Sequence, residues 1–430
     1  MVNSEKLWTG KVPDNWKFYK GKYVFGERSE RGNTVNLQLL SPTQKFGVIP
    51  QSLYDELTSM KSVKVKEDTD LSTFKTIHAG DFCISLRSFQ GGFEYSEYEG
   101  VVSPAYRVLY PKVDICAGYY KYLFKEQQFI GEMNSYCQSL RDGKNISYSD
   151  FGKTLIPYPP LSEQQAIADY LDEVCVKIDE IIVEAKESIE EYKELKQAVI
   201  FEAVTKGIDK NVEMKSSYVG WIGTIPSHWK LTKIRQVAKF YNGDRSSKYP
   251  SGDDIVSEGI VFITSNNLGG IILNTNISKN KFITKQKYDE LGGAKLRRND
   301  IVFCLRGSVG KCSINKTFDD GTIASSLVVI RAKKVDADYL NFVLQNHGIT
   351  DEAIVNAIGI GSLNLAAHDI SEFYMPIPPK RERQSIVRYL NDKIRNIDSL
   401  ITEKEALIAD LEAYKKSLIY ELVTGKRRVV

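Results

Sequence analysis

Two short stretches carry residue types suited to ligand chemistry. Residues 86–96 read LRSFQGGFEYS, and residues 305–313 read LRGSVGKCS. Each places an arginine where an apolar run ends and a glycine-containing loop begins. Glycine lets backbone approach a ligand closely, and an arginine fork can bind guanine or phosphate through two parallel hydrogen bonds. A hairpin turn with a surface arginine is the plainer reading of either loop alone. The second loop is not a phosphate-cradling P-loop, because Leu305 and Cys312 stand where that pattern needs Gly and Ser or Thr. A third stretch, FITSNNLGG (262–270), is dense in side chains that can read adenine or touch phosphate, although Asn-rich loops are usually turns. NGDRSSKYP (242–250) adds two bases.

Other chemistries lack their residues. There is no N/D-P-P-Y/F methylation motif, no G-x-G cofactor loop after a strand, no H-E-x-x-H and no nucleophile elbow. Two E-x-K triplets, Glu191–Lys193 and Glu194–Lys196, fall in a helical stretch, whereas a nuclease needs carboxylates converging on a metal in a sheet-lined pocket. The six cysteines form no C-x-x-C pair, so neither a zinc site nor a disulfide framework is expected, and buried thiols in a reducing compartment are. The four histidines are scattered. No run approaches the roughly 18 apolar residues of a membrane span, and the first residues show no signal pattern, so a cytoplasmic address without membrane contact is expected.

The elements that must position these loops come from an internal repeat, in a chain whose 430 residues already predict two or more domains. PYPPLSEQQ (157–165) returns as PIPPKRERQ (376–384), and residues 157–206 match 376–425 at 18 of 50 positions. The repeat extends upstream. VPDNWK (12–17) resembles IPSHWK (225–230), GDFCISLRS (80–88) resembles NDIVFCLRG (299–307), and GVVSPAYRV (100–108) resembles GTIASSLVV (321–329). Residues 30–76 and 244–295 share almost nothing. The organisation is therefore globular unit, long helix, globular unit, long helix. The predicted boundaries are 1–156, 157–208, an exposed linker over 209–219, then 220–375 and 376–430.

Residues 161–205 contain no Pro and no Gly, and Ser162 with Gln165 makes a capping-box pattern. Apolar residues recur at heptad spacing: Ile167, Leu171, Val174, Ile178, Ile181, Ala185, Tyr192, Leu195 and Val199. The second copy gives Ile386, Leu390, Lys393, Ile397, Leu400, Lys404, Leu407, Leu411, Tyr414 and Leu418. Lys393 and Lys404 are register devices, partner-facing sites, or residues whose stems lie over the seam. Forty-five helical residues make a rod of about 67 Å, and its seam needs a partner, most cheaply the other seam. Prolines 157, 159 and 160 are expected to end the strand ladder and set the angle at which the rod leaves. The first helix segment carries net −7 and the second net +4 out of an overall +3, so the two attract and the body is mildly basic.

Within the units, 81–86, 106–110, 300–305 and 326–332 read as strands, and 117–130 and 337–349 as amphipathic helices. Each unit is predicted α+β with a mixed or antiparallel sheet.

The twice-written I/M-P-x-P-P-x-x-E-x-Q phrase, the VP/IP-x-x-W start of each unit and the SFQGGFEYSEYEGVVSPAY stretch (88–106) resemble specificity subunits of type I restriction–modification systems, over essentially the whole chain. The resemblance implies two target-recognition domains joined by two conserved helices that pair as an antiparallel coiled coil with pseudo-two-fold symmetry. Each domain would read one half of a bipartite double-stranded DNA site. Two methylation subunits would dock on the chain, restriction subunits would join the full complex, and the chain itself would catalyse nothing and hold no cofactor or metal. SPAY has become SSLV in the second unit, so contacts carried by that segment transfer only to the first. Expected DNA-facing residues are Lys45, Arg87, Ser88, Gln90, Tyr95 and Lys144 in the first unit, and Arg245, Lys248, Ser265, Asn266, Asn267, Arg306 and Lys311 in the second, with Arg87 and Arg306 equated by the repeat. A single-chain nuclease or methyltransferase, and a coiled-coil scaffold binding only proteins, are the competing classes.

Overall fold

The computed structural model describes residues 8–31, 37–58, 71–84, 92–136, 146–276, 280–357 and 363–429. The chain divides into two compact units, Met1–Ala185 with Ala406–Val430, and Lys186–Glu405.

Unit one is built on four strands: β1 (Phe25–Arg28), β2 (Phe82–Ile84), β3 (Phe93–Tyr95) and β4 (Arg107–Pro111). Their order is β1-β4-β2-β3, with every neighbour antiparallel. Unit two repeats that order with β5 (Ala238–Asn242), β6 (Ile301–Cys304), β7 (Cys312–Ile314) and β8 (Leu327–Ala332), arranged β5-β8-β6-β7 and again antiparallel. The inner strand β6 reads as an unbroken apolar run because both its faces are covered. Ile301 and Phe303 enter one core cluster, while Val302 and Cys304 enter another on the opposite face.

The parts without sequence correspondence also differ in fold. Among the described residues unit one places there two separate strand pairs, Leu40–Thr43 with Gly47–Pro50 and Lys75–Ile77 with Gly100–Val102. Unit two has one four-stranded sheet, in which Ile260–Ile263 runs parallel to Thr322–Ile323. A common trace survives, since Leu39 bridges Val101 in parallel just as Phe262 pairs with Thr322.

The helices expected over 117–130 and 337–349 are each two helices. In unit one α1 (Ala117–Leu123) precedes α2 (Gln127–Ser135), because the Glu126 carboxylate accepts from Gln128 N and Phe129 N and starts a new helix. A further helix, α3, spans Tyr148–Lys153, and the first long helix, α4, spans Leu161–Thr205. In unit two α5 (Ala337–Leu344) is followed by α6 (His347–Asn356), capped by Asn346 through Gly348 N; then come α7 (Ala367–Glu372) and the second long helix, α8 (Lys380–Val423).

Within each unit the long helices run antiparallel. In unit two the Tyr339 hydroxyl reaches the carbonyls of Val204, at the end of α4, and Pro376, just before α8, while Lys196 Nζ meets Asp398 Oδ1 at 2.7 Å further along. In unit one Tyr119 donates to Val423 O and Tyr120 to Pro157 O, and Lys415 Nζ lies 2.6 Å from Asp179. The expected seams are half right. Leu171, Ile178 and Ala185 are buried, but the alternate positions are Cys175, Ile182 and Ile189, and Ile181 and Leu195 are exposed. On α8 Ile394 is buried in place of Lys393, and Leu400, Leu407 and Tyr414 face outward. Each apolar stripe is wide enough to hold two heptad frames one residue apart, and the spacing alone does not choose between them.

The proline phrase ends in a different way from that expected. Leu155–Tyr158 is a strand paired with Lys17–Lys20, and Pro157 sits inside it opposite Phe18. A two-stranded ribbon has an unpaired edge, where a missing N–H costs nothing. Tyr374–Ile377 pairs with Lys230–Lys233 in the same way, so both expected unit–helix boundaries fall within strands. Only Pro159 and Pro160 stop the ladder. Pro160 O then accepts from Glu163 N and Gln164 N, so Ser162 lies inside the helix and is not its cap. The 209–219 stretch also carries a short exposed strand, Met214–Ser216, paired with Thr224–Pro226.

The phrase anchors its unit through side chains. Gln164 donates to Pro159 O and accepts from Cys116 N ahead of α1. In unit two Arg383 donates to Pro378 O and to the carboxylate of Asp336 ahead of α5. Glu163 takes the Asn15 amide, and Glu382 takes the Trp229 indole N–H at 2.9 Å with His228 Nε2 also at 2.9 Å.

Candidate nucleic-acid interface

In unit two the sequence-selected residues gather at one end of the four-stranded sheet. That end comprises the C-termini of β5 and β6 and the N-termini of β7 and β8, since Asn242 faces Val328, Cys304 faces Leu327 and Phe303 faces Cys312. Arg245 lies three residues past β5. Its Nε donates to Ser325 O at 3.4 Å, in the turn that enters β8. Arg306 lies two residues past β6, and the neighbouring Leu305 N donates to Ser326 O at 2.8 Å. Ile263 O accepts from Ala324 N, so the Thr264–Asn267 turn borders the same serines. Arg245, Lys248, Asn266, Arg306 and Lys311 are exposed, and Ser265 is half-buried.

Each loop is held by a local device. Asp244 is buried and accepts from Ser246 N and Gly292 N, each at 2.7 Å. Hydrogen bonds from Ser246, and then from the Gly292 and Gly293 amides, hold its carboxyl below the usual aspartate range, so it stays charged and pins the chain that bears Arg245. The β6–β7 loop turns on Gly307 and Gly310, whose φ angles of 76° and 91° lie in the left-handed region; a Cβ on Gly310 would also lie 2.6 Å from Thr350.

Asn267, expected to face DNA, is buried instead. It is 1% exposed, its Oδ1 accepts from Thr264 N, and its Nδ2 donates to Asn280 Oδ1 at 2.8 Å. It shapes the turn that presents Ser265 and Asn266. Four residues at the same sheet end escaped the sequence reading: Asp244, Ser325, Ser326 and Asn364. Asn364 Oδ1 accepts from Arg306 Nε at 2.8 Å. Its signal was the repeat itself, since Asn145 stands 219 positions earlier, the offset that separates Arg87 from Arg306.

In unit one Arg87, Ser88, Gln90 and Lys144 lie outside the described residues. The turn entering β4 matches that of unit two, with Tyr106 N donating to Ser103 O as Leu327 N donates to Ala324 O. It presents Pro104 and Ala105 where unit two presents Ser325 and Ser326. Lys45 is exposed at the tip of the Thr43–Gly47 turn, which packs so closely that a Cβ on Gly47 would be 2.6 Å from Tyr95 O. Tyr95 is half-buried against Phe82, with ring centroids 5.4 Å apart, and burial raises its hydroxyl pKa. The Thr43–Gly47 turn that bears Lys45 thus packs beside Tyr95, the last residue of β3.

Among the described residues no cluster of three or more His, Cys, Asp or Glu could hold a metal ion, and no helix is long and apolar enough to cross a membrane. Cys83, Cys175, Cys304 and Cys312 are buried and unbridged, and burial raises the thiol pKa of each.

One α+β frame, written twice and bearing different loops at its sheet ends, defines a tandem recognition architecture. The chain belongs to the type I restriction modification DNA specificity domain family, whose model matches residues 13–191 and 226–409. Among curated relatives it is 26% identical over 306 residues to the type I restriction enzyme MjaVIII specificity subunit of Methanocaldococcus jannaschii, covering 69% of this chain and 68% of that protein. It is 24% identical over 442 residues to the putative MjaX specificity subunit of the same organism, covering 99% and 97%. It is 23% identical over 291 residues to the EcoBI specificity subunit of Escherichia coli, covering 66% of this chain and 60% of that one. Among solved structures, a chain from a study of complex assembly and conformational transition of the type I R-M system shares the fold with a TM-score of 0.73 at 14% identity, covering 97% of this chain and all of that one. The HsdS subunit from Thermoanaerobacter tengcongensis does so at 0.56 and 15%, covering 97% and 98%.

Proposed function

We propose that this chain is the DNA sequence-specificity subunit of a type I restriction–modification complex. Each α+β unit reads one half of a bipartite double-stranded site, through the sheet end described for unit two and its counterpart in unit one. The long helices set the spacing between the halves and receive two methylation subunits, and restriction subunits join in the full complex. Methyl transfer and cleavage belong to those partners, and this chain contributes recognition alone, in the cytoplasm where the DNA lies. The target-recognition domains are residues 1–156 and 220–375, and the conserved helical regions are 157–208 and 376–430, joined to the second domain through 209–219.

The observation that carries this reading is the doubling itself. The sheet order and the helix anchoring repeat between the units, while the loop-bearing insertions do not. Two different half-sites held at one separation require that combination. The supporting electrostatics are the exposed cations at the unit-two sheet end, Arg245, Lys248, Arg306 and Lys311. A titration of the chain bound to its methylation subunit against duplex DNA at several salt concentrations tests it. The logarithm of the affinity should fall linearly with the logarithm of salt, by roughly 0.9 per phosphate neutralised. An absent or salt-independent DNA affinity would leave the protein-only scaffold standing.

A further inference from the structure

We infer that Arg306 and Asn364 act as one base-reading unit, in which Arg306 recognises a guanine in the major groove and Asn364 is the residue that positions it. The inference rests on the DNA-reading assignment above.

The backbone around Arg306 is pinned from both sides. Leu305 N donates to Ser326 O and Leu365 N to Leu305 O, each at 2.8 Å. Gly307 N donates to Leu363 O at 3.2 Å, and Arg306 bridges Asn364 in antiparallel register. On this base the Arg306 Nε donates to Asn364 Oδ1. Among the described residues no protein acceptor takes the two terminal nitrogens. Most arginines of this chain with side-chain partners are spent differently. Arg28 and Arg331 each place two nitrogens on a single aspartate, Asp81 and Asp300, and Arg298 does the same at the surface with Asp319.

The acceptor's chemistry matters. A carboxylate at position 364 would hold the guanidinium but neutralise it. An amide oxygen holds the plane through Nε and leaves the full charge and the terminal fork for a ligand. That fork matches the O6 and N7 acceptors of guanine, the commonest specific arginine contact in the major groove. Holding the side chain beforehand lowers the ordering cost of binding. Arg245, the other arginine at this sheet end, has only a long contact to a backbone carbonyl, which suits a looser role against phosphate.

The test is a binding selection from randomised duplex DNA, using the full chain in complex with its methylation subunit. Wild type is compared with R306A, R306K, N364A and N364D. R306A and R306K should each relax a single G·C position, lowering discrimination there by about 5- to 150-fold, because lysine keeps the charge but loses the fork. N364A should relax that same position by about 3- to 10-fold. N364D keeps the acceptor oxygen but neutralises the guanidinium, so it should weaken selection at that same position and at no other. The half-site that these variants leave unchanged reports that the complex is folded. A strict position in R306K would make Arg306 a phosphate contact and overturn the inference. So would relaxation of different positions by N364A and R306A, a relaxed position that is A·T, or a selection unchanged in N364A. A wild-type complex that selects no bipartite site would instead overturn the DNA-reading assignment, and the inference with it.

Discussion

In unit one Arg28 of β1 grips Asp81 and lies over the ring of Tyr110 in β4, 4.9 Å from its centroid. In unit two Arg331 of β8 grips Asp300 and lies over Tyr241 of β5 at 4.7 Å. The aspartates are equivalent in the repeat, and each precedes the central strand of its sheet. The arginine and the tyrosine have exchanged strands. What the two halves share is therefore the buried carboxylate and the donors it needs, because an unpaired buried charge is costly wherever its partner originates. Gln164 and Arg383 make the same point, each tying a proline carbonyl to the residue ahead of an earlier helix, α1 or α5. The frame keeps its contacts while the side chains supplying them drift. The insertions keep neither.

The largest expected effect comes from the shared carboxylates. Asp81→Ala and Asp300→Ala should each destabilise their own unit by about 3–5 kcal/mol, since each strands an arginine at the sheet. Chemical denaturation with hydrogen exchange localising the loss would check this. A large loss in one unit only would break the equivalence. Next is the tyrosine anchor. Tyr339 serves two carbonyls, at 3.1 Å and 3.4 Å, where unit one divides the work between Tyr119 and Tyr120. Tyr339→Phe should cost about 1–2 kcal/mol, because one hydroxyl proton is shared between two buried carbonyls and both lose it, and either unit-one substitution about 1 kcal/mol, as shifts in the denaturation midpoint.

A smaller contrast lies at the helix starts. Glu382 satisfies the buried Trp229 indole, whereas Glu163 holds only Asn15, and the Trp16 indole nitrogen has no acceptor among the described residues. Glu382→Ala should cost about 1–1.5 kcal/mol and Glu163→Ala about 0.5 kcal/mol or less, read from the same denaturation curves. The smallest effect concerns pH. The Asp244 pKa is lowered in the folded chain, so its stabilisation is present above the usual aspartate value and is lost as pH falls through the folded value. Asp244→Asn should loosen the Arg245 loop at neutral pH, and its difference from wild type should close below about pH 4. Amide exchange in residues 243–250 across that range would show it.

The repeat made the architecture legible before any coordinates. The two inner strands of each sheet announced themselves as β-rich apolar runs, the outer ones (such as Phe25–Arg28 and Ala238–Asn242) did not, and the proline phrase marked both helix starts. The seam was only half legible, because Val174 and Cys175, or Ile181 and Ile182, are interchangeable on hydropathy, and only packing against the partner helix decides. Arg306 was singled out because an arginine at the end of an apolar run before a glycine loop is visible in sequence, and the structure places it exposed, two residues past β6. Asn267 was misread because composition does not distinguish an exposed amide from one that closes its own turn. Asn364 was missed because its role depends on a backbone bridge across 58 positions of chain.

The most direct test of the central claim is to co-express the chain with its methylation subunit and map methylated adenines across the host genome by long-read sequencing. Two independent readers on a common frame predict a single motif of two short halves with a constant gap, in which unit-two substitutions such as Arg306→Ala alter one half and leave the other intact. A contiguous motif, a gap that varies from site to site, or one substitution that changes both halves would contradict it.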